Sequence, residues 1–163
     1  MNDERVFTHI DDVTGQPAMV GVSGKQETRR TATARSIIVP GEEVMRLLDG
    51  KDIYTKKGPV FQTAIIAGIM AAKRTSELIP LCHPLPLEDC KVSIETNRGE
   101  IIIDCTAITT AKTGVEMEAL TGASVAALTV YDMCKALSHD IVIRETKLMA
   151  KFGGKSDFKR TET

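Results

Sequence analysis

The sequence predicts an α+β sandwich, in which helices cover one face of an antiparallel sheet. Three observations predict it: short segments with alternating apolar residues, two long segments with helical periodicity, and a glycine-containing turn between two strand-like segments. A chain of 163 residues can bury roughly 70% of its unfolded surface in one core. We therefore expect one domain over residues 31–163, preceded by an irregular arm over residues 1–30 and ending in a flexible glycine-rich loop at 152–156.

The first elements follow directly after the arm. Residues 33–39 alternate in the manner of a strand, and Pro40-Gly41 ends them. Residues 42–48 have the pattern of a short amphipathic helix, which Asp49-Gly50 ends. This short helix precedes the two long helices that are predicted further along the chain.

Residues 60–78 predict the first long helix, because apolar residues recur on one of its faces. A second face is made of small residues that let another backbone approach closely. The apolar face contains Phe61, Ile65, Ile69 and Ala72, and the small face contains Ala64, Ala67, Gly68 and Ala71. Prolines at 80, 84 and 86 then favour an extended, stiff segment.

The second half of the chain completes the pattern. Alternating residues at 90–94 and 101–105, joined through Asn97-Arg98-Gly99, predict a β-hairpin. Residues 119–137 form a second long helix, apolar almost all round, and residues 140–147 a last strand. The resulting order β-α-β-β-α-β, with one extra short helix, is that of a ferredoxin-like sandwich with an antiparallel sheet.

Composition excludes several classes of function. A net charge of −1 and 4% aromatic residues argue against binding to nucleic acid or to a membrane surface. Four cysteines without a C-x-x-C pair predict no metal site, and those at 90, 105 and 134 lie in apolar patterns typical of buried, reduced thiols. The polar first residues do not resemble a signal peptide, so we expect a cytoplasmic protein.

Asp132 and Lys135 are the first candidates for chemistry. They follow a run without charges over residues 119–131, so we expect a partly desolvated pair whose pKa values are pushed towards neutrality. The alternative is an ordinary ion pair between residues three apart on a helix. Lys57 lies just before the first long helix, whose N-terminus predicts an anion site, although Gly58-Pro59 is equally typical of a helix-entry turn.

Two further candidates come from the segments between helices and strands. Glu116 and Glu118 would face one ligand together if the chain is extended there, or would favour the helix dipole if they form a first turn. His83 is either held towards a ligand by the stiff proline segment or caps the preceding helix. Asp132 lies 14 residues after Glu118, roughly 21 Å along a helix. Either the ligand is elongated or one group comes from a neighbouring subunit.

Several motifs together resemble the cyclic pyranopterin monophosphate synthase family, which acts in molybdenum cofactor biosynthesis. The resemblance extends from about Met19 to Phe158. The matching segments are AGIMAAKRT at 67–75, LIPLCHPL at 78–85, KTGVEMEALT at 112–121, YDMCKA at 131–136 and GGKS at 153–156.

The resemblance implies a lyase that converts (8S)-3′,8-cyclo-7,8-dihydroguanosine 5′-triphosphate to cyclic pyranopterin monophosphate and diphosphate. It implies a homohexamer, a trimer of dimers with sites at subunit contacts, and no resident cofactor, although a divalent ion would suit the triphosphate. The catalytic residues that it implies are Asp132, Lys135 and Lys57. The substrate-binding residues that it implies are Leu81, Cys82, His83, Glu116, Met117, Glu118, Lys151, Arg30 and Lys73.

In this interpretation the two lysines move protons on the ring nitrogens, Asp132 orients Lys135, and basic side chains stabilise the leaving diphosphate. We expect the amines and the acid to meet across a protomer boundary. The chain departs from the usual family pattern at four positions: Gly21 and Pro59, where aspartate is common, Ala111 in place of glycine and Phe152 in place of serine. The alternatives are a non-catalytic nucleotide- or pterin-binding module and a purely structural interaction domain.

Overall fold

The computed structural model describes residues 9–11 and 13–161, and its main feature is a five-stranded antiparallel sheet. In chain order the elements are β1 (Thr28–Val39), α1 (Glu42–Met45), β2 (Leu48–Asp49), β3 (Asp52–Thr55), β4 (Gly58–Pro59), α2 (Val60–Lys73), α3 (Thr75–Leu78), β5 (Asp89–Asn97), β6 (Glu100–Ala111), α4 (Glu116–Cys134), β7 (Val142–Phe152) and β8 (Phe158–Lys159). The strand order is β5-β6-β1-β7-β8, and α2 and α4 pack against the sheet. The predicted ferredoxin-like α+β arrangement is confirmed.

The hairpin between β5 and β6 also follows the prediction. Asn97 pairs with Glu100, so only Arg98 and Gly99 form the turn, with φ angles of 50° and 80°. Two positive φ angles in succession give the type of turn whose twist matches that of antiparallel strands. Buried aliphatic residues of β6, among them Ile101 and Ile103, then enter the core beneath the helices.

Several elements are longer or shorter than their local patterns predict. Pairing with β6 and β7 extends β1 back to Thr28, and β7 continues to Phe152, well past the predicted end at 147. The predicted helix 60–78 is divided at Arg74, whose ψ angle of 15° ends α2 before the short helix α3. Cross-strand hydrogen bonds and local backbone geometry decide these boundaries.

A bulge in β7 controls which side chains of this strand face the helices. The pairing passes from Ala150 opposite Thr33 to Leu148 opposite Ala34, so Met149 has no partner residue on β1. The extra residue shifts the alternation of side chains between the two faces of the sheet. Leu148 therefore packs against the core, and Lys151 also points to the helix side, where it reaches the start of α4.

The two long helices cross at glycines, as the small-residue face of α2 predicts. A β-carbon added to Gly68 would lie 2.9 Å from the carbonyl oxygen of Gly122 on α4 and 3.1 Å from the Ala126 β-carbon. Ala119, Ala123 and Ala126 are fully buried. The crossing therefore fixes α4 on α2 by close backbone contact.

Replacing Gly68 by alanine is expected to lower the free energy of unfolding by about 1–3 kcal/mol, because the methyl group overfills this crossing. Chemical denaturation of both proteins measures the difference. Gly24→Ala is the matched control, since a β-carbon there meets nothing within 4 Å. Equal stability of the Gly68 variant and the wild type would show that the helices can move apart without cost.

A small three-stranded sheet of β2, β3 and β4 lies between α1 and α2, and the sequence did not predict it. The predicted helix 42–48 ends at Met45, and Leu48 already pairs with Ile53. Within the described ranges, no helix has both the length and the apolar character needed to cross a bilayer.

Candidate functional site

Two lysines share one carboxylate at the C-terminal end of α4. The Lys135 Nζ lies 2.7 Å from the Asp132 Oδ1, and the Lys57 Nζ lies 3.0 Å from the Asp132 Oδ2. Lys57 also donates to the backbone carbonyl of Asp132 at 3.1 Å. We call Lys57, Asp132 and Lys135 the Asp132 cluster. All three residues belong to one chain, so the expectation that they meet across a protomer boundary was wrong.

The electrostatics of this cluster are opposite to those expected from the uncharged run before it. The Asp132 side chain is 56% exposed, and that of Lys135 is 55% exposed. The hydrogen bond from Lys135, followed by that from Lys57, lowers the pKa of Asp132, and the bond to Asp132 raises the pKa of Lys135. The pair is therefore stabilised as ions and is not pushed towards neutrality. Most of the uncharged run is buried or half-buried, although Leu128 is exposed, and the pair extends beyond the run into solvent.

The N-terminus of α2 does not provide the predicted anion site. Asp52, buried in β3, accepts hydrogen bonds from the backbone N–H groups of Phe61 at 2.7 Å and Gln62 at 3.2 Å. A carboxylate of the chain itself thus occupies the free N–H groups of the first turn. Lys57 lies in the turn between β3 and β4, and its amine points to Asp132.

A second group of charged residues lies at the opposite end of α4. Glu116 and Glu118 are in the first helical turn, which agrees with the helix-dipole alternative and rejects the extended one. The Glu116 Oε1 lies 3.2 Å from the Lys151 Nζ on β7. The side chain of Glu116 folds back over Gly114, where a β-carbon would overlap the carboxylate. Helix α4 therefore has candidate residues at both ends.

A cavity of about 560 Å³ lies beside Glu116, and we call it the glycine-loop pocket. Its basic lining residues are Lys25, Arg30, Lys112, Lys151 and Lys155, and its loop residues include Gly114, Gly153 and Gly154. The Arg30 Nε is buried without a hydrogen-bond partner among the described residues. A donor left in this state is suited to an anionic ligand, since unpaired buried donors are costly.

Gly153 lets the glycine loop close against β1. Its φ angle is 83°, and a β-carbon there would overlap the carbonyl oxygen of Arg29. The Gly153 carbonyl accepts a hydrogen bond of 2.8 Å from the Thr28 hydroxyl. The loop predicted to be flexible is thus held against the strand that carries Arg30.

A smaller cavity of about 200 Å³ adjoins the first one, and we call it the histidine pocket. The residues lining it include Leu81, Cys82, His83, Glu116, Met117 and Glu118. Burial, with a further contribution from the charge of Glu118, raises the pKa of the Cys82 thiol. The proline segment thus brings His83 to the pocket that both glutamates share.

Glu118 is the most buried acid of this pocket, with a relative exposure of 4%. Burial raises its pKa, and the negative charge of Glu116 acts in the same direction, partly offset by the backbone N–H of Glu118 itself. A carboxyl group in this setting can hold or release a proton closer to neutral pH than a free glutamate does.

Replacing Glu118 by glutamine is expected to stabilise the protein, and the gain should grow as the pH rises. The folded state holds the Glu118 proton more tightly than the unfolded state, so the wild type is favoured at low pH and loses that advantage as the pH rises through the raised pKa. Each unit by which the pKa is raised contributes about 1.4 kcal/mol at high pH.

Denaturation of wild type and Glu118→Gln at pH 4, 6 and 8 checks this prediction. The difference should be smallest at pH 4, below the ordinary glutamate value of 4.5. Glu77→Gln, on the exposed side of α3, is the matched control and should show no such trend. If the free energies of unfolding of Glu118→Gln and the wild type differ by the same amount at every pH, the Glu118 carboxylate is not disfavoured by burial.

The two ends of α4 cannot serve one small reacting centre within a single chain. Glu118 and Asp132 are on the same continuous helix, separated by 14 residues, roughly 21 Å of helix axis. The distance argument made from the sequence therefore holds. The two groups that it separates are the Asp132 cluster at one end of α4 and the two pockets at the other.

The structure leaves Lys73 apart from both groups. It is exposed at the C-terminal end of α2 and lines neither the glycine-loop pocket nor the histidine pocket. Lys25, Lys112 and Asp52 were not among the predicted site residues. Lys112 lay within a quoted motif, which was the only available signal for it, and nothing local distinguishes Lys25 or Asp52.

Among the described residues there is no group of three or more His, Cys, Asp or Glu side chains that could hold a metal ion. The described cysteines are free thiols: Cys105 and Cys134 are buried, whereas Cys90, predicted to be buried, is half-buried. The Cys90 and Cys105 Sγ atoms are 3.9 Å apart. The prediction of no resident cofactor, with room for a divalent ion on the triphosphate, stays a prediction.

Comparison with known proteins identifies the family that the sequence motifs resemble. The model of the MoaC family matches residues 19–154. The cyclic pyranopterin monophosphate synthase of Xanthomonas campestris pv. campestris is 54% identical over 152 residues, covering 93% of this chain and 92% of that protein.

Two longer relatives match as well. The molybdenum cofactor biosynthesis bifunctional protein of Synechocystis sp. is 50% identical over 96% of this chain. Molybdenum cofactor biosynthesis protein 1 of Dictyostelium discoideum is 50% identical over 92% of this chain. The chain spans 46% of the length of the first and 26% of the length of the second.

Proposed function

The chain belongs to the MoaC family, and from this premise we propose that it is a cyclic pyranopterin monophosphate synthase of molybdenum cofactor biosynthesis. Its reaction converts (8S)-3′,8-cyclo-7,8-dihydroguanosine 5′-triphosphate to cyclic pyranopterin monophosphate and diphosphate. The observation that supports this activity best is the Asp132 cluster, in which two amines bind opposite oxygens of one carboxylate. The structure thus provides proton donors beside a fixed anion.

The reaction requires proton transfers that such a cluster can perform. Opening the modified purine and closing the pterin ring move protons on and off ring nitrogens, which is general acid–base work. Because Asp132 raises the pKa of Lys135, that lysine is a stable ammonium at neutral pH. We assign it the role of proton donor to a departing ring nitrogen. Lys57 is the second amine within reach, and we assign it the opposite transfer, which removes a proton from a ring nitrogen.

Formation of the cyclic phosphate calls for a different environment. A substrate hydroxyl oxygen forms a bond to the α-phosphorus while the bond to diphosphate breaks, so negative charge accumulates on the leaving group. The glycine-loop pocket has the basic residues for this: Arg30 with its unpaired Nε, Lys151 and Lys112. We assign the triphosphate to this pocket and assign the purine-derived ring to contacts with His83 and Glu118.

These assignments require two copies of the chain. The Asp132 cluster and the glycine-loop pocket lie at opposite ends of α4, so one substrate reaches both only where the ends of two different chains meet. We propose a homohexamer, a trimer of dimers, with each site shared between two protomers. We also propose a cytoplasmic location, which fits the free thiols, and no resident cofactor other than an ion carried by the triphosphate.

The direct test supplies the purified protein with the cyclic dihydroguanosine triphosphate. We expect pterin fluorescence, after oxidation of the product, to rise in step with diphosphate release. A binding module would retain the triphosphate without releasing diphosphate, and a structural domain would do neither. Omitting or adding Mg²⁺ in the same assay tests the role of a divalent ion.

A further inference from the structure

We propose that Asp52 is a positioning residue for Lys57, because its carboxylate joins the hairpin that carries Lys57 to the first turn of α2. The kinetic part of this proposal rests on the proposed function. Its structural part concerns the free protein and can be tested without substrate.

The carboxylate of Asp52 is built into the protein and not left at its surface. The residue has a relative exposure of 6%. Its Oδ1 accepts hydrogen bonds of 2.7 Å from the N–H groups of both Ile53 and Phe61, and its Oδ2 accepts one of 3.2 Å from Gln62. One side chain therefore binds the backbone of two different elements, β3 and α2.

The cap of α2 comes from outside the helix because the N-cap position cannot provide it. Pro59 occupies that position and makes no side-chain capping bond. An aspartate at this position would cap the helix from its own N-terminus. In this chain the capping carboxylate lies seven positions earlier, on β3, so capping also fixes where β3 lies relative to α2.

The hairpin of β3 and β4 leaves little freedom at Lys57. Thr55 pairs with Gly58, so Lys56 and Lys57 form the turn between them. The Lys57 N–H donates to the Thr55 hydroxyl at 3.2 Å, and Gly58 has a φ angle of 111°, which favours glycine. The position of the Lys57 backbone is thus set by the position of β3.

The consequence is a chain of contacts from Asp52 to the reacting amine. Asp52 fixes β3 on α2, α2 crosses α4 at Gly68, and α4 carries Asp132, to which the Lys57 amine binds. Without the Asp52 carboxylate, β3 would still pack on the core through Ile53, but the hydrogen bonds that fix the hairpin on the first turn of α2 would be lost. A misplacement of about 1 Å at a reacting group can lower a rate by about 100-fold.

The closing experiment compares Asp52→Ala with the double variant Asp52→Ala/Pro59→Asp. The double variant restores a cap at the usual position but does not restore the bond between the hairpin and the helix. For each protein we would measure the free energy of unfolding, kcat and KM. We would also measure the rate at which an amine-specific reagent labels Lys57 in the absence of substrate, read by peptide mass spectrometry.

We expect Asp52→Ala to lower both stability and kcat, the latter by about 10- to 100-fold with a smaller change in KM. Labelling of Lys57 should accelerate to the rate found in Asp132→Asn, because the amine has lost its partner. In the double variant, stability should recover while kcat stays low and labelling stays fast. Recovery of all three in the double variant would overturn the proposal, since Asp52 would then act only as a helix cap.

A destabilised control separates positioning from general loss of stability. Ile103→Ala removes buried side chain from the centre of the sheet, at a cost of about 2–5 kcal/mol. This variant should keep the wild-type kcat and the low wild-type rate of Lys57 labelling. Loss of kcat in Ile103→Ala as well would count against a specific role for Asp52. If the wild type shows no turnover, the proposed function fails, while the labelling rates still decide whether Asp52 positions Lys57.

Discussion

Replacing Lys135 by alanine is expected to lower kcat for cyclic pyranopterin monophosphate formation by about 10²- to 10⁴-fold, the usual contribution of a general acid. The melting temperature should not change, because the side chain is 55% exposed and contacts the core little. Lys57→Ala should give a loss of similar size. Single-turnover measurements with pterin fluorescence provide the rates.

Lys56→Ala is the matched control for this experiment. It removes the same charge from the turn that carries Lys57, and its amine is not part of the Asp132 cluster. Wild-type turnover is expected from it. Wild-type turnover from Lys135→Ala or Lys57→Ala would contradict the proton-transfer role assigned to that lysine.

The pH dependence of the rate gives an independent check on the same cluster. Asp132 raises the pKa of Lys135, so the wild type should stay active to a higher pH than a protein without that carboxylate. In Asp132→Asn the decline of the rate at alkaline pH should begin at lower pH, because the Lys135 ammonium is then less favoured. An unmoved alkaline limb would show that Lys135 is not the group that titrates.

Mixing two inactive variants is expected to restore activity if two chains form each site. Lys135→Ala damages the Asp132 cluster, and Lys151→Ala damages the glycine-loop pocket at the other end of α4. A dimer containing one chain of each kind has one site with both defects and one site with none. Random pairing therefore gives about a quarter of the wild-type activity in the unselected mixture, and dimers that contain both kinds of chain have about half of it.

Co-expression of the two variants with different affinity tags, followed by purification through both tags, measures this recovery. The matched control pairs Lys135→Ala with Lys57→Ala, whose defects lie in one cluster, so every site of a mixed dimer remains damaged. If the mixture of Lys135→Ala and Lys151→Ala is no more active than the single variants, each chain forms its site alone. The separation of the candidate residues between the two ends of α4 would then need another explanation.

The motifs were sufficient to predict most of the residues that the structure groups. His83 was a candidate from the proline segment, and Leu81 and Cys82 were implied by the family resemblance. All three line one pocket with Glu116 and Glu118. The pairing of Glu116 with Lys151 could not be predicted, because β7 extends past its predicted end and contains a bulge at Met149. Strand pairing decides both features, and local periodicity does not contain it.

Two errors have a common cause. The uncharged run at 119–131 suggested that Asp132 and Lys135 are desolvated, and the start of α2 suggested a free anion site. Both inferences treated a local pattern as a measure of environment. The structure shows that the pair points away from the core and that Asp52, from another strand, fills the helix terminus.

The sequence by itself determined the α+β class, the order of the two long helices and the main strands, and the side chains available for chemistry, because hydrophobic periodicity and turn residues act over a few positions. Only the tertiary structure decided that Lys57 meets Asp132 within one chain, that the second cluster lies at the far end of α4, and in which direction the pKa values move. Such properties depend on distances between residues far apart in sequence and on burial, and both are fixed only when the helices pack on the sheet.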